Sequence, residues 1–244
     1  MRLLEFRRLI GESSILVKTD LYAAAYIAFQ TILKHTHQIK RYTQAYPEFL
    51  LALDPIPPNS DAPEAILRMS QAAESAGVGP MAAVAGALAD LATEEMLKHG
   101  AKVAVVENGG EVSIRGDAEV DVAVYSGGSR LSGRLGFRIL PDDLPLGLAT
   151  SSATVGHALS FGFADSATVF AENSALADAA ATAVCNAVDM KDVDASVRRG
   201  LDRAQTIEGV KGALIVRRDR VGTIGRLPKL ISVNGSLEPS QVIH

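Results

Sequence analysis

The sequence contains no tryptophan, a single cysteine and few aromatic residues, and each shortage excludes a class of site. Because aromatic side chains make up only 5% of the chain, a surface that stacks nucleic-acid bases is not expected. The lone Cys185 excludes an internal disulfide and a metal cluster held only by thiolates of this chain. The net charge of -4 provides no general attraction to nucleic acid or to an anionic membrane. We therefore expect neither nucleic acid nor a membrane as a partner.

Long uncharged apolar runs are also missing. The longest one, Val78 to Ala89, ends at Asp90 and is shorter than the roughly 20 residues that a helix needs to cross a bilayer. The N-terminal segment has Glu5 and Arg7 among its apolar residues, so it lacks the uninterrupted apolar centre of a secretion signal. These features predict a soluble, cytoplasmic protein.

The hydrophobic periodicity predicts a mixture of strands and helices in one domain. Helices are predicted at 21–42, 47–53, 63–75, 80–100, 174–188 and 193–206. Strands are predicted at 3–10, 13–18, 102–106, 111–115, 121–125, 135–140, 167–171, 212–217 and 221–224. Since no change in composition marks a linker, we expect a single domain over 1–244, divided into an N-terminal hairpin and helix (1–53), a core (62–225) and a C-terminal tail (226–244).

The stretch 147–186 concentrates the polar residues that suggest a site. The inner part of its predicted helix is apolar except for Asp178 and Thr182, whose i, i+4 spacing puts them on one face of the helix. One interpretation is an oxygen-rich site for a hard cation or a polar ligand. The other is a structural role, in which the Thr182 hydroxyl binds back to a carbonyl and Asp178 accepts from nearby backbone N–H groups.

Four further titratable residues have both a functional and a structural interpretation. His157 is a candidate catalytic acid or base, since its pKa suits proton transfer near neutrality, or a hydrogen-bonded structural histidine. Asp165 is the second catalytic candidate, orienting His157, or it closes a turn. Glu107 beside Asn108 projects into the site or is a carboxylate at the edge of a hairpin. Asp90, the charge in an apolar helix, pairs with a buried cation or a hydroxyl.

Four segments together carry a family resemblance: GVGPMAAVAGALAD, VENGGE, TSSATVGHALSFGFADSATV and ALADAAATAVCN. They resemble the UPF0280 proteins over most of the chain, from the helix start at Thr19 to the strand at 209–216. Shorter pieces are similar to the ApbE family, the FAD-dependent flavin transferases: the hairpin 107–116, the segment 148–153 and the helix segment 175–183. The resemblance implies an α+β fold of ApbE-like, T-fold type, in which an antiparallel sheet packs against buried helices.

The ApbE resemblance also implies a binding site. In ApbE proteins an Asp and a Thr on this helix help to hold a magnesium ion at the FAD pyrophosphate, which implies Asp178 and Thr182 as metal ligands here. The implied cofactors are Mg²⁺ and FAD or another nucleotide-like ligand, and the implied activity is a transferase of the ApbE type. The surface expected to bind this small anionic ligand comprises Glu107, Asn108, Gly109, Gly110, Thr150, Ser151 and Ser152.

The chain departs from the ApbE pattern in one helix and two turns. ApbE proteins carry Lys-Gly-Tyr-Ala-Val-Asp where residues 85–90 read Ala-Gly-Ala-Leu-Ala-Asp, so Asp90 is kept while the lysine and the aromatic residue are missing. The ApbE Met-Gly-Thr segment and Asp-Pro-x-Thr-Gly turn have no clear counterpart.

Two other functions are hypotheses from the sequence. The UPF0280 resemblance implies a non-flavin component of sulfide assimilation into homocysteine, acting with sulfur-assimilation partner proteins. The second hypothesis is a non-catalytic oligomeric interaction protein. In either case the open edges of the expected sheet favour a homo-oligomer, because open edges need covering.

Overall fold

The computed structural model describes residues 3–11, 13–117, 119–124, 135–152, 162–190 and 192–233. Its strands are β1 (Leu4–Ile10), β2 (Ser13–Thr19), β3 (Val103–Asn108), β4 (Glu111–Gly116), β5 (Val120–Val124), β6 (Leu135–Ile139), β7 (Leu146–Ser151), β8 (Ser166–Ala171), β9 (Val210–Arg217), β10 (Arg220–Gly225) and β11 (Lys229–Ser232). Its helices are α1 (Tyr22–Ala45), α2 (Pro47–Leu51), α3 (Glu64–Ala76), α4 (Val84–Lys98), α5 (Ser174–Ala187) and α6 (Val193–Gln205). Among the described residues, no single helix is long and apolar enough to cross a membrane, and only the pair Glu64–Ala76 and Pro80–Lys98, bent by 106°, passes that test together.

The described strands form two antiparallel sheets. Eight strands make the large sheet in the order β1-β2-β3-β4-β7-β8-β9-β10, and three make the small sheet in the order β11-β6-β5. Alternate residues of the large sheet belong to different cores, because successive strand residues point to opposite faces. Val105 and Leu148 pack with the small sheet, whereas Val106 and Ala149 pack against helices.

The molecule therefore has three layers. One face of the large sheet carries the helices, and we call it the helix face. The other face carries the small sheet, and we call it the inter-sheet face. The predicted α+β class, with antiparallel strands packed against buried helices, is confirmed, while the assignment to the T-fold type stays a prediction.

Three elements differ from the sequence-based prediction. The helix predicted at 80–100 starts as a 3-10 turn, Pro80–Ala83, before α4 begins. Strand β7 was not predicted because Gly147 and Ala149 have low strand propensity. A Cβ at Gly147 would lie 2.1 Å from the backbone carbon of Asn173, so this strand needs a glycine where α5 begins. In the tail, β11 adds a strand that pairs with β6.

Helices α4 and α5 approach each other closely at Gly86. A Cβ on this residue would lie 2.2 Å from the Ser174 carbonyl oxygen and 2.8 Å from the Ala175 nitrogen. The alanines that line α5 allow the same closeness along its length, since 11 of its 14 residues are buried. This contact places the N-terminus of each helix beside a side chain of the other.

Candidate functional site

The N-terminus of α5 is capped by Asp90 of α4. Asp90 Oδ1 accepts a hydrogen bond from the Ser174 backbone N–H at 3.0 Å, and Oδ2 accepts from the Ala175 N–H at 2.8 Å. The sequence offers Asn173 or Ser174 as the N-cap, and in the structure it is the Asn173 side chain that accepts from the Leu176 N–H at 2.8 Å. The first three N–H groups of the helix, which have no partner within the helix, therefore all have side-chain acceptors.

Two side chains also contact the Asp90 carboxylate. The Ser113 hydroxyl donates to its Oδ1 at 2.8 Å, and an Arg115 nitrogen lies 3.5 Å from the same oxygen. Arg115 also contacts Glu94 at 2.9 Å. Since Asp90 is 2% exposed and surrounded by these groups, its pairing with both a hydroxyl and the partly buried guanidinium of Arg115 is structural.

The reverse arrangement is found at the N-terminus of α4. There Asp178 of α5 accepts through Oδ2 from the Gly86 backbone N–H at 3.0 Å. Burial raises the pKa of Asp178 to about 7 against the opposing effect of hydrogen bonds from the Gly86 and Ala85 N–H groups, and the charge of Asp90 adds to the increase. Oδ2 of Asp178 therefore has the structural role, in which the carboxylate accepts from backbone N–H groups.

The β3–β4 hairpin brings two side chains to the helix face. The sequence predicts a turn at Asn108–Gly109, but the turn consists of Gly109 and Gly110, with φ values of 71° and 116°. Asn108 and Glu111 are consequently directly paired across the two strands, and their side chains lie on one face. Asn108 donates through Nδ2 to the Ala85 carbonyl at 3.0 Å, while its buried Oδ1 has no hydrogen-bond partner in the described part of the chain.

Glu111 lies near Asp178 but is not among the site residues predicted from the sequence. Burial raises its pKa well above the ordinary value, and the charge of Asp178 raises it further, so the two carboxyl groups are neighbours. The alternation of polar and apolar residues along β4 could have identified Glu111 from the sequence. Glu111, Ser113 and Arg115 form a row of polar residues on the face that packs against apolar helices.

Two more predicted residues lie on the helix face. Thr182 is one helical turn after Asp178 and is 8% exposed. Ser151 follows Ala149 by two positions on β7, and Ala149 packs in the helix-side core. The structure therefore brings Asn108 and Asp178 to adjacent backbone groups of α4, places Gly109, Gly110 and Ser151 on or beside the helix face, and has Thr182 one turn further along α5.

Two other predicted residues lie on the inter-sheet face. Glu107 is paired with Val112, which belongs to the core between the sheets. Burial raises the pKa of Glu107 to about 7. Thr150 alternates with the helix-face residue Ser151, and its hydroxyl lies 2.9 Å from that of Thr168. The structure does not bring these two side chains to Asp178.

The last three predicted residues lie near or beyond the end of β7. The Ser152 hydroxyl donates to the Asp165 carbonyl at 2.7 Å. The Asp165 carboxylate accepts from the backbone N–H of Arg218, which has a φ of 56° in the β9–β10 turn. This geometry gives Asp165 the turn-closing role, and its catalytic role stays a prediction. His157 lies outside the described residues.

The helix face offers oxygen ligands of several kinds. Within the described residues, no group of three or more His, Cys, Asp or Glu side chains is placed to hold a metal. A cation here would rest on two carboxylates, Asp178 and Glu111, with neutral oxygens such as the Thr182 hydroxyl. These donors fit Mg²⁺, which binds through one or two carboxylates and keeps several waters.

Comparison with known proteins identifies the family. The family model described as "AbpE bacteria" matches residues 5–215. A UPF0280 protein of Methanocaldococcus jannaschii is 40% identical over 230 residues, which cover 93% of each chain. A UPF0280 protein of Methanopyrus kandleri is 40% identical over 240 residues, which cover 97% of each chain.

Solved structures agree with the fold. The ApbE protein of Thermotoga maritima matches with a TM-score of 0.60 at 14% identity, over 89% of this chain and 97% of that one. The flavinyl transferase ApbE of Pseudomonas stutzeri, in its apo form, matches with a TM-score of 0.60 at 13% identity, over 96% of this chain and 95% of that one. At these identities the likeness shows the fold alone. The chain belongs to the UPF0280 family and has the ApbE-like fold.

Proposed function

We propose that this chain binds FAD or another nucleotide-like anionic ligand, together with Mg²⁺, on the helix face. The observation that carries the proposal is the juxtaposition of Asp178 with the glycine hairpin: Asn108 donates to the Ala85 carbonyl, and Asp178 accepts from the N–H group of the next residue, Gly86. The match to the ApbE-related family model and the fold of a flavinyl transferase support it.

An anionic ligand needs a cation at this place. The N–H groups at the start of α4 would otherwise attract a phosphate, but Asp178 already accepts from Gly86. Glu111 adds a second carboxyl beside Asp178. A bound Mg²⁺, held by Asp178 and Thr182, would neutralise the charge of a diphosphate group.

The hairpin and β7 supply the polar surface around the proposed cation. Gly109 is exposed, has a positive φ value and carries no side chain, so its backbone is open to close approach by a ligand. The Ser151 hydroxyl on the same face is a donor for phosphate or ribose oxygens. We assign binding and orientation of the nucleotide to these groups.

Binding, rather than flavin transfer, is the activity that the residues support. The ApbE lysine and aromatic residue are replaced by Ala85 and Ala87. Ala87 is fully buried, and the Ala85 backbone is engaged by Asn108 and Asp178. These positions provide no charged or aromatic side chain that could act on a bound flavin.

The proposal is tested by titrating FAD, FMN and ADP into the purified protein with Mg²⁺ or with EDTA. Flavin fluorescence reports the flavins, and calorimetry reports ADP. We expect saturable, Mg²⁺-dependent binding of FAD and ADP, and at least about tenfold weaker binding by Asp178→Ala. Glu119→Gln removes an exposed negative charge that lies just before β5 and pairs with Arg138, and it serves as the control, with wild-type affinity expected. No saturable binding by the wild type, or equal affinity in Asp178→Ala, would contradict the proposal.

The two other functional hypotheses stay predictions. Cys185, the only thiol of the chain, is 0% exposed, so a role in sulfur assimilation would require partner proteins to supply the thiol chemistry. An oligomeric interaction role is tested by light scattering.

A further inference from the structure

We propose that Asn108 and Glu111, at the tip of the β3–β4 hairpin, are further ligands of the divalent cation, in addition to Asp178 and Thr182. The inference rests on the proposed function for the presence of a cation. It goes beyond that function because it makes the hairpin a metal-binding element. It therefore predicts that the cation binds before any nucleotide is present.

The first observation is the unpartnered oxygen of Asn108. This side chain is 2% exposed, and its Nδ2 is fixed by the Ala85 carbonyl at 3.0 Å. Among the described residues nothing donates to its buried Oδ1. A buried amide oxygen without a donor loses the hydrogen bonds that water would give it, so we expect it to have a partner in the functional state. A hard cation is such a partner, since Asn carbonyl oxygens are ordinary ligands of these ions.

The second observation is the position of Glu111. It is the direct cross-strand partner of Asn108, and such pairs have Cβ atoms about 4.5 to 5.5 Å apart. A Cβ on Gly109 would lie 3.5 Å from Glu111 Oε2, so the carboxyl group curls towards the hairpin turn. Asn108 of the hairpin and Asp178 of α5 bind adjacent backbone groups of α4, the Ala85 carbonyl and the Gly86 N–H, so the hairpin and α5 bring their side chains into one neighbourhood.

The third observation is the charge balance. Asp178 and Glu111 bring two carboxyl groups to one place. Of the described arginines, Arg115 lies on the same face of β4, but it contacts Glu94 at 2.9 Å and Asp90 at 3.5 Å. A divalent cation would balance the charge of the two carboxyl groups, and Asn108 Oδ1 adds a neutral oxygen ligand of a kind that such a cation accepts.

The inference is tested with Mn²⁺, a paramagnetic stand-in for Mg²⁺, titrated into nucleotide-free protein and followed by electron paramagnetic resonance. We expect one saturable site in the wild type. Glu111→Gln and Asn108→Ala should each weaken it by about tenfold or more, and Glu119→Gln should not. Asn108→Asp should tighten Mn²⁺ binding relative to Asn108→Ala, because it returns an oxygen ligand with a negative charge.

Two controls keep the outcomes separate. Circular dichroism melting without metal shows whether each variant is folded, and Glu111→Gln, which keeps the size of the side chain, remains informative if Asn108→Ala unfolds. Wild-type Mn²⁺ affinity in folded Glu111→Gln would overturn the inference, as would the absence of Mn²⁺ binding without nucleotide. Mg²⁺-dependent binding of FAD that persists under either outcome would leave the proposed function standing. If Mn²⁺ binds as expected but FAD and ADP do not, the inference stands and the proposed function fails.

Discussion

The contact between α4 and α5 contains two aspartates in mirrored positions but with different surroundings. Each accepts a hydrogen bond from the N-terminal turn of the other helix. Asp90 is nearly inaccessible and has donors from two backbone amides, Ser113 and Arg115. Asp178 is half-buried, accepts from the start of α4, and faces another carboxyl group, that of Glu111.

From this difference we infer that Asp90 stabilises the fold and that Asp178 is available to bind a ligand. A buried carboxylate surrounded by donors is held in place and has no capacity left for a ligand. A carboxylate that faces another carboxylate has unused acceptor capacity and an uncompensated charge. We therefore assign Asp90 to the fold and propose Asp178 as a ligand-binding residue, although the sequence made both aspartates candidates for a polar or ionic contact.

The largest expected effect is on stability. Asp90→Ala leaves the Ser174 and Ala175 N–H groups without acceptors. It also removes one of the carboxylates that Arg115 contacts. The free energy of unfolding should fall by about 3 to 5 kcal/mol, measured by urea denaturation. Asp178→Ala should cost less than about half of that. Equal losses in the two variants would remove the distinction between the two aspartates.

The next effect tests the contact that positions both aspartates. Gly86→Ala introduces a Cβ that would lie 2.2 Å from the Ser174 carbonyl, so the helices must separate. We expect the free energy of unfolding to fall by about 2 to 3 kcal/mol and the affinity for FAD to fall with it. Thermal melting and the FAD titration measure the two losses. An unchanged melting temperature would show that the helices are not held as closely as described.

A smaller effect concerns the inter-sheet face. The pKa of Glu107 is raised from 4.5 to about 7, so between these values the folded protein binds the proton that the unfolded chain releases. This contribution to stability is fully present below pH 4.5 and is lost as the pH rises through about 7. Glu107→Gln should therefore stabilise the protein at pH 8 by about 1 to 3 kcal/mol and have little effect at pH 4.

Urea denaturation at the two pH values measures the effect of Glu107→Gln. Glu107→Gln also tests which face of the large sheet carries the proposed cation site. Because Glu107 and Glu111 lie on opposite faces, only Glu111→Gln should weaken Mn²⁺ binding. Weaker Mn²⁺ binding by Glu107→Gln would contradict the assignment of faces.

The smallest effect on stability is expected for Asp178→Asn. The amide oxygen can still accept from the Gly86 N–H, so the free energy of unfolding should change by less than about 1 kcal/mol. Affinity for FAD in the presence of Mg²⁺ should nevertheless fall about tenfold or more. Wild-type affinity would show that the charge of Asp178 is not needed.

The sequence predicted the fold class and part of the site geometry for physical reasons. Helical spacing put Asp178 and Thr182 on one face, and hydrophobic periodicity located most of the helices and strands. The face of each hairpin residue could not be predicted, because it depends on the register. A turn at Gly109–Gly110 instead of one residue earlier decides which side chains point to the helices. The role of Asp90 depends on the contact at Gly86 between segments that are distant in sequence.

The most direct test of the account is the ratio of FAD affinities with Mg²⁺ and with EDTA, compared between the wild type and Asp178→Asn. The account predicts that Mg²⁺ tightens binding by the wild type by at least about tenfold and leaves binding by Asp178→Asn unchanged. The same Mg²⁺ effect in both proteins would contradict the claim that Asp178 holds the cation that a nucleotide ligand needs.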